Sequence, residues 1–181
     1  NDVFHEESGK ISSRIYKKDK VSTDFEALLR KNFISTPTVM VRADVIKEAI
    51  HYVNTELKIH KIMDYPLWLY IASKYELWHL SQSTAVYRLA DNTASRPDSL
   101  EKKYDYAENN YEIKRHYCRD EELAKTLELE YLRKILYLAY VNRDSEKSEK
   151  IFRIYKTKAS KVSIFDLLKY FASKYRIINK I

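Results

Sequence analysis

Glycine occurs once in 181 residues, at Gly9, and proline only three times. One glycine cannot build a phosphate-cradling loop of the Walker or Gly-x-Gly-x-x-Gly type, each of which needs several. So few breakers favour long helices over a meander of tight turns. Cys118 is the single cysteine. That excludes an intrachain disulfide and a cysteine-rich metal site, and it fits a reducing compartment. No apolar run approaches the ~18–20 residues that span a bilayer. The five histidines, His5, His51, His60, His79 and His116, form no His-x-x-His or His-x-x-x-His pair, so no metal site is expected. His116 and Cys118 lie two apart in a predicted helix, where their side chains diverge, so they do not make a nucleophile–base pair. No segment repeats. Asn1 rather than Met opens the sequence, and we expect a fragment or an excised domain.

What is present supports a folded core. Hydrophobic residues make up 45% of the chain and charged residues 33%, a balance that argues against wholesale disorder. Lys and Arg number 33 against 26 Asp and Glu, a net charge of +7. Such a balance permits nucleic acid, anionic lipid or phosphorylated ligands and selects none of them. Sixteen tyrosines suit interfaces and clefts, because each buries a ring while its hydroxyl stays hydrogen-bonded.

Along the chain, NDVFHEE and KISSRIY predict two strands, with a turn around Gly9 between them. Thr23 is placed to cap a helix over FEALLRKNF. Thr38 to Val41 predict a short buried strand. Asp44 opens a helix with Val45, Ile46, Ala49, Ile50 and Val53 inward. MDYPLWLYIASKYE predicts another helix, with Pro66 in its first turn and Leu67, Trp68 and Ile71 in the core. YELWHLS and TAVYRLA predict two short strands. Asn92 to Pro97 form a polar linker, and everything beyond is helical in pattern. Pro97 suits a first helical turn, and Tyr104, Ala107, Tyr111 and Lys114 share one face. Ala124, Leu127, Tyr131, Ile135, Leu138 and Ala139 form one apolar stripe. Ser145 is placed to cap the next helix, and Ser163 with Asp166 resembles a capping pair opening the last. That last segment mixes Lys169, Lys174, Arg176 and Lys180 with Phe165, Leu168, Phe171, Tyr175 and Ile178. Such a basic amphipathic helix either packs on its neighbours or rests on an anionic membrane surface.

Asp64 poses the central question. A carboxylate at a helix N-terminus is stabilised by the dipole and free N–H groups, by roughly 0.3–1 kcal/mol, and can be a cap and nothing more. Beside a cleft, an aspartate aimed by a well-packed helix acts as a general base toward a hydroxyl. The two readings are compatible.

NFISTPTVMVRADV, then MDYPLWLYIAS, then STAVYRLADNTAS, in that order and spacing, resemble the C-terminal half of the catalytic domain of bacterial family 2 glycosyltransferases. The resemblance covers residues 1–96. It implies a fold class: an α/β fragment, part of a GT-A-like nucleotide-diphospho-sugar transferase fold, followed by an all-α extension over 97–181, mostly helical overall. It also implies a nucleotide-sugar donor and a glycan or lipid-linked acceptor in polysaccharide or glycolipid assembly. Asp64, ahead of Leu67-Trp68-Leu69, matches the family's aspartate that deprotonates the acceptor hydroxyl. Carboxylates with the usual pKa of ~4 are ionised at neutral pH, as a base must be. Arg88, in the Tyr87-Arg88 pair before Ser95, is placed to hold acceptor or diphosphate. The family often has Glu-Asp where this chain has Met63-Asp64.

The resemblance also marks what this sequence does not contain. The family's Asp-x-Asp motif, which holds a divalent metal, Mg or Mn, on the diphosphate, is absent, and NDVFHEESGKI is similar to the segment just after it. A metal is therefore expected in the intact enzyme and none in this chain, which alone is not expected to bind donor or turn over. A cytoplasmic location is expected, with peripheral inner-membrane contact through 163–181 and homo-oligomerisation as further expectations. The alternative is a non-catalytic, basic, tyrosine-rich helical module that binds protein or single-stranded nucleic acid. Nearly matched acids and bases, with no compact basic block, speak against nucleic acid.

Overall fold

A computed structural model describes residues 2–5, 9–13, 23–57, 62–80, 82–89 and 99–174. The protein is mostly helical, with seven α-helices and three four-residue strands among the described residues. It comprises two compact units, Asn1–Arg96 and Pro97–Ile181.

In the first unit, strands β1 (Asp2–His5) and β2 (Lys10–Ser13) pair antiparallel, with Asp2 opposite Ser13 and His5 opposite Lys10. Gly9 sits in the turn between them at φ +63°, a conformation glycine adopts without the Cβ penalty. Strand β3 (Val86–Leu89) joins the other edge of β1 in parallel, giving the order β2-β1-β3. Three short strands are too little sheet to establish a GT-A-like layer. Helix α1 (Phe25–Arg30) follows, capped by the Asp24 carboxylate, which accepts from the Ala27 N–H at 2.6 Å. The cap is therefore Asp24 and not the neighbouring Thr23.

Two predicted strands are absent. Thr36–Thr38 form a 3-10 turn with Pro37 inside it, and Val39 continues extended without a strand partner among the described residues. Glu76 to Leu80 likewise join no sheet. Both segments are apolar enough to suggest strands, and neither pairs with a strand among the described residues.

Helix α2 (Ala43–Tyr52) runs into a π-helical turn at Val53–Leu57. Helix α3 (Asp64–Lys74) is the hub of this unit and packs on both α1 and α2. Tyr65, Pro66, Trp68, Leu69, Tyr70 and Ile71 are all buried, so the helix is apolar nearly all round, as an interior helix must be. Pro66 lies in the first turn, where its missing N–H has no helical partner to lose. The Tyr65 hydroxyl donates to the carbonyls of Leu28 (2.9 Å) and Leu29 (3.0 Å), satisfying acceptors left open at the end of α1.

The second unit is all helical: α4 (Leu100–Tyr117), α5 (Glu121–Asn142), α6 (Ser145–Lys158) and α7 (Ile164–Lys174). Helix α5 lies at its centre and touches the other three. Its stripe Leu132, Ile135, Leu136 and Leu138 meets Ile151, Phe152 and Tyr155 of α6, and Tyr104, Leu167 and Tyr170 pack around them. Helix α5 ends on Arg143, at φ 56°, ψ 35°, whose N–H and that of Asp144 bond the last carbonyls of the helix. Asp144, not Ser145, then caps α6 by accepting from the Lys147 N–H at 3.0 Å. Pro97 and residues 175–181, including Tyr175, Arg176, Ile178 and Lys180, lie outside the described residues, as does the linker Asn92–Pro97.

Candidate functional site

Asp64 is the first helical residue of α3, and the cap position belongs to Met63, whose side chain makes no capping bond. Asp64 is thus not the N-cap residue proper. Its Oδ1 accepts from the N–H of Tyr65 at 2.8 Å, and its Oδ2 accepts from the Thr36 hydroxyl at 2.6 Å. A carboxylate offers about four acceptor positions, so one bond on each oxygen leaves capacity on both. The side chain is half-buried, beside an exposed Met63 and an exposed Thr36. Its base is rigid: Tyr65, Trp68 and Leu69 behind it are buried in the core of this unit. The positive end of the helix dipole adds to the stabilisation of negative charge at this point.

Thr36 is the residue that sequence reasoning missed. It lies 28 positions upstream, and only folding brings it to Asp64. The signal in STPT was Pro37, which favours a turn over a strand. That turn is tightened by the Thr38 hydroxyl donating to the Ser35 carbonyl at 2.7 Å. Arg88 falls in β3 with its backbone in register with Phe4, and its side chain lies outside the described ones. Trp68 is buried as expected, and its indole N–H has no hydrogen-bond partner among the described residues.

A second acidic centre in this unit is exposed but carries more bonds than Asp64. Glu48 on α2 accepts from the Tyr70 hydroxyl (2.7 Å), the Lys74 ammonium (2.8 Å) and the Tyr75 hydroxyl (3.0 Å). Lys74, then Tyr70 and Tyr75, hold its carboxyl down to about 2. The group ties α2 to α3, with two bonds on Oε1 and one on Oε2.

In the second unit the corresponding centre is Asp166 of α7, which is buried. Its carboxylate accepts from the Tyr155 hydroxyl (2.8 Å), the Ser163 hydroxyl (2.9 Å) and Arg133 Nε (3.2 Å), with Lys169 at 3.4 Å. Burial pushes its pKa up, but the bonds from Tyr155 and Ser163 and the charge of Lys169 outweigh burial and hold it below the ordinary value. Ser163 also accepts from the Asp166 N–H at 3.2 Å, so the capping pair expected from sequence is present. Cys118 is buried and free.

Among the described residues no group of three or more His, Cys, Asp or Glu is placed to hold a metal ion, and no helix is long and apolar enough to cross a membrane. Comparison with family models, with curated proteins and with solved structures finds no match.

Proposed function

We propose that the first unit is the acceptor-side part of a family 2-like glycosyltransferase catalytic domain, with Asp64 as general base. The observation that carries this reading is the state of the Asp64 carboxylate. It is half-buried, fixed by Thr36 and by the helix start, and carries one bond on each oxygen, whereas Glu48 carries three bonds and the buried Asp166 four. In the proposed step an acceptor O–H gives its proton to Asp64. The oxygen forms a bond to C1 of the donor sugar, the C1–O bond to the diphosphate breaks, and the nucleoside diphosphate leaves with the electron pair. Attack opposite the leaving group inverts C1. Arg88 is proposed to hold the acceptor or the diphosphate. The GT-A-like fold of the intact domain belongs to this proposal, as does the nucleotide-sugar donor. The divalent cation that the resemblance implies has no ligand set among the described residues.

The alternative, a tyrosine-displaying binding module, would use exposed rings such as Tyr75, Tyr106 and Tyr137. Tyr65, Tyr70, Tyr117 and Tyr155 are interior, and Tyr111 stacks on Tyr131 at 4.6 Å between ring centres.

The test is made on the full-length gene product. Release of UDP, GDP or dTDP from a panel of their hexose conjugates is followed with membrane glycolipid extract as acceptor. Asp64→Asn should lower turnover by about 10²–10⁴-fold, the usual contribution of a positioned acid or base, while costing no more than about 1 kcal/mol of stability. Full turnover in that variant, or no release from any donor by the parent, refutes the proposal.

A further inference from the structure

The whole net charge of the chain sits at one end. Residues 143–181 hold eleven Lys and Arg against four Asp and Glu, a surplus of seven, while the preceding 142 residues carry 22 of each sign. Within the described part of this basic end, α7 shows an unusual division of its faces. Its single acid, Asp166, points inward to Tyr155, Ser163 and Arg133. Four of its large apolar side chains do the opposite, while Leu167 and Tyr170 pack on the core: Ile164 is 67% exposed, Phe165 70%, Leu168 49% and Phe171 43%. From Lys158 to Lys174 the exposed residues are these four, three lysines and Ser160, with no acid among them. Lys158 and Lys174 lean on Glu128 (2.8 Å) and Glu149 (2.9 Å), and Lys161 has no ion pair among the described residues.

We infer that the outer face of α7, with the basic end around it, docks on an anionic lipid surface. Exposed aromatic and aliphatic side chains on a helix with a basic rim match the boundary between headgroups and acyl chains, where rings enter and lysines meet lipid phosphate. Turning the only acid of the helix inward removes the one group that lipid phosphate would repel. A second copy of this chain fits less well. The same patch on both copies would set lysine against lysine. The four side chains also offer on the order of 400 Å², below the ~800 Å² per partner of a standard interface. The inference stands apart from the proposed transfer chemistry and does not depend on Asp64.

The test uses the 181-residue chain and sedimentation with vesicles of phosphatidylcholine alone, or with phosphatidylglycerol replacing about a third of it. Binding should be at least ~10-fold stronger to the anionic vesicles and should fall as salt rises from about 0.05 to 0.5 M. Phe165→Ser with Leu168→Ser should weaken it at least ~10-fold with the circular dichroism unchanged, since both side chains are exposed. Lys161→Glu should weaken it about 5-fold or more. Equal binding to neutral and anionic vesicles, no binding at low salt, or undiminished binding by both variants overturns the inference. So does preferential capture of a single-stranded oligonucleotide. A dimer seen by light scattering without lipid, and abolished by the Phe165/Leu168 variant, also overturns it by making the face a self-interface.

Discussion

Helices α3 and α7 are both eleven residues long, and each carries one acid in its first turn. They treat their side chains in opposite ways. Helix α3 hides its apolar residues on nearly all sides and presents Asp64 at the margin. Helix α7 hides Asp166 under four partners and presents Ile164, Phe165, Leu168 and Phe171. An aspartate at a helix start therefore says little about its task. The number of donors already on its oxygens says more, because a saturated carboxylate cannot accept a further proton without giving up bonds that hold the fold. The same comparison explains why neither helix can replace the other. One is the core of its unit, and the other is a lid with a wet side.

The contrast can be broken at either end. The largest expected effect is on the proposed chemistry: Asp64→Asn should lower glycosyl-transfer turnover by about 10²–10⁴-fold while costing no more than about 1 kcal/mol of stability. Next comes the core behind it. Leu69 is fully buried, so Leu69→Ala should cost about 2–5 kcal/mol in chemical denaturation of the chain, by lost burial and a cavity. At Asp166 the signs invert relative to Asp64. Asp166→Asn should leave the first unit untouched and destabilise the second by about 2–3 kcal/mol, by removing the charge that Tyr155, Ser163 and Arg133 converge on. Because the folded pKa of Asp166 is depressed, its stabilisation is fully present above the unfolded carboxylate value near ~4. It is lost as pH falls below that value through the folded one. Denaturation titrated downward from neutral pH should show this loss in the parent and not in Asp166→Asn. Tyr65→Phe should cost about 1–2 kcal/mol, since the Leu28 and Leu29 carbonyls lose their donor while the ring is kept. Phe165→Ser should change stability least, within about 0.5 kcal/mol. Its effect belongs to vesicle binding.

Sequence reasoning located the long, strongly periodic elements well. The stripe on α5 runs over 22 residues, enough turns for a 3.6-residue period to stand out, and Gly9 marked its hairpin. It failed where neighbours compete or where partners are distant. Thr23 and Asp24 can each cap, as can Asp144 and Ser145, and only the final backbone path selects the carboxylate in both cases. Val39, Met40 and Val41 have strand-forming side chains, but a strand also needs an edge, and composition does not reveal one. For the candidate site, Asp64 stood out by its place ahead of an apolar helix. Its hydroxyl partner Thr36 did not, because a contact across 28 residues is made by packing and leaves no local pattern. Asp166 was visible as half of a capping pair with Ser163. The arrival of Tyr155 and Arg133 from other helices was not.

Arg143 turns the corner between α5 and α6 in a left-handed backbone state that an L side chain enters at a cost of roughly 1–2 kcal/mol. A chain almost devoid of glycine has to negotiate such corners with residues that resist them. At Arg143 a glycine would relieve that cost while leaving both backbone bonds of the corner in place.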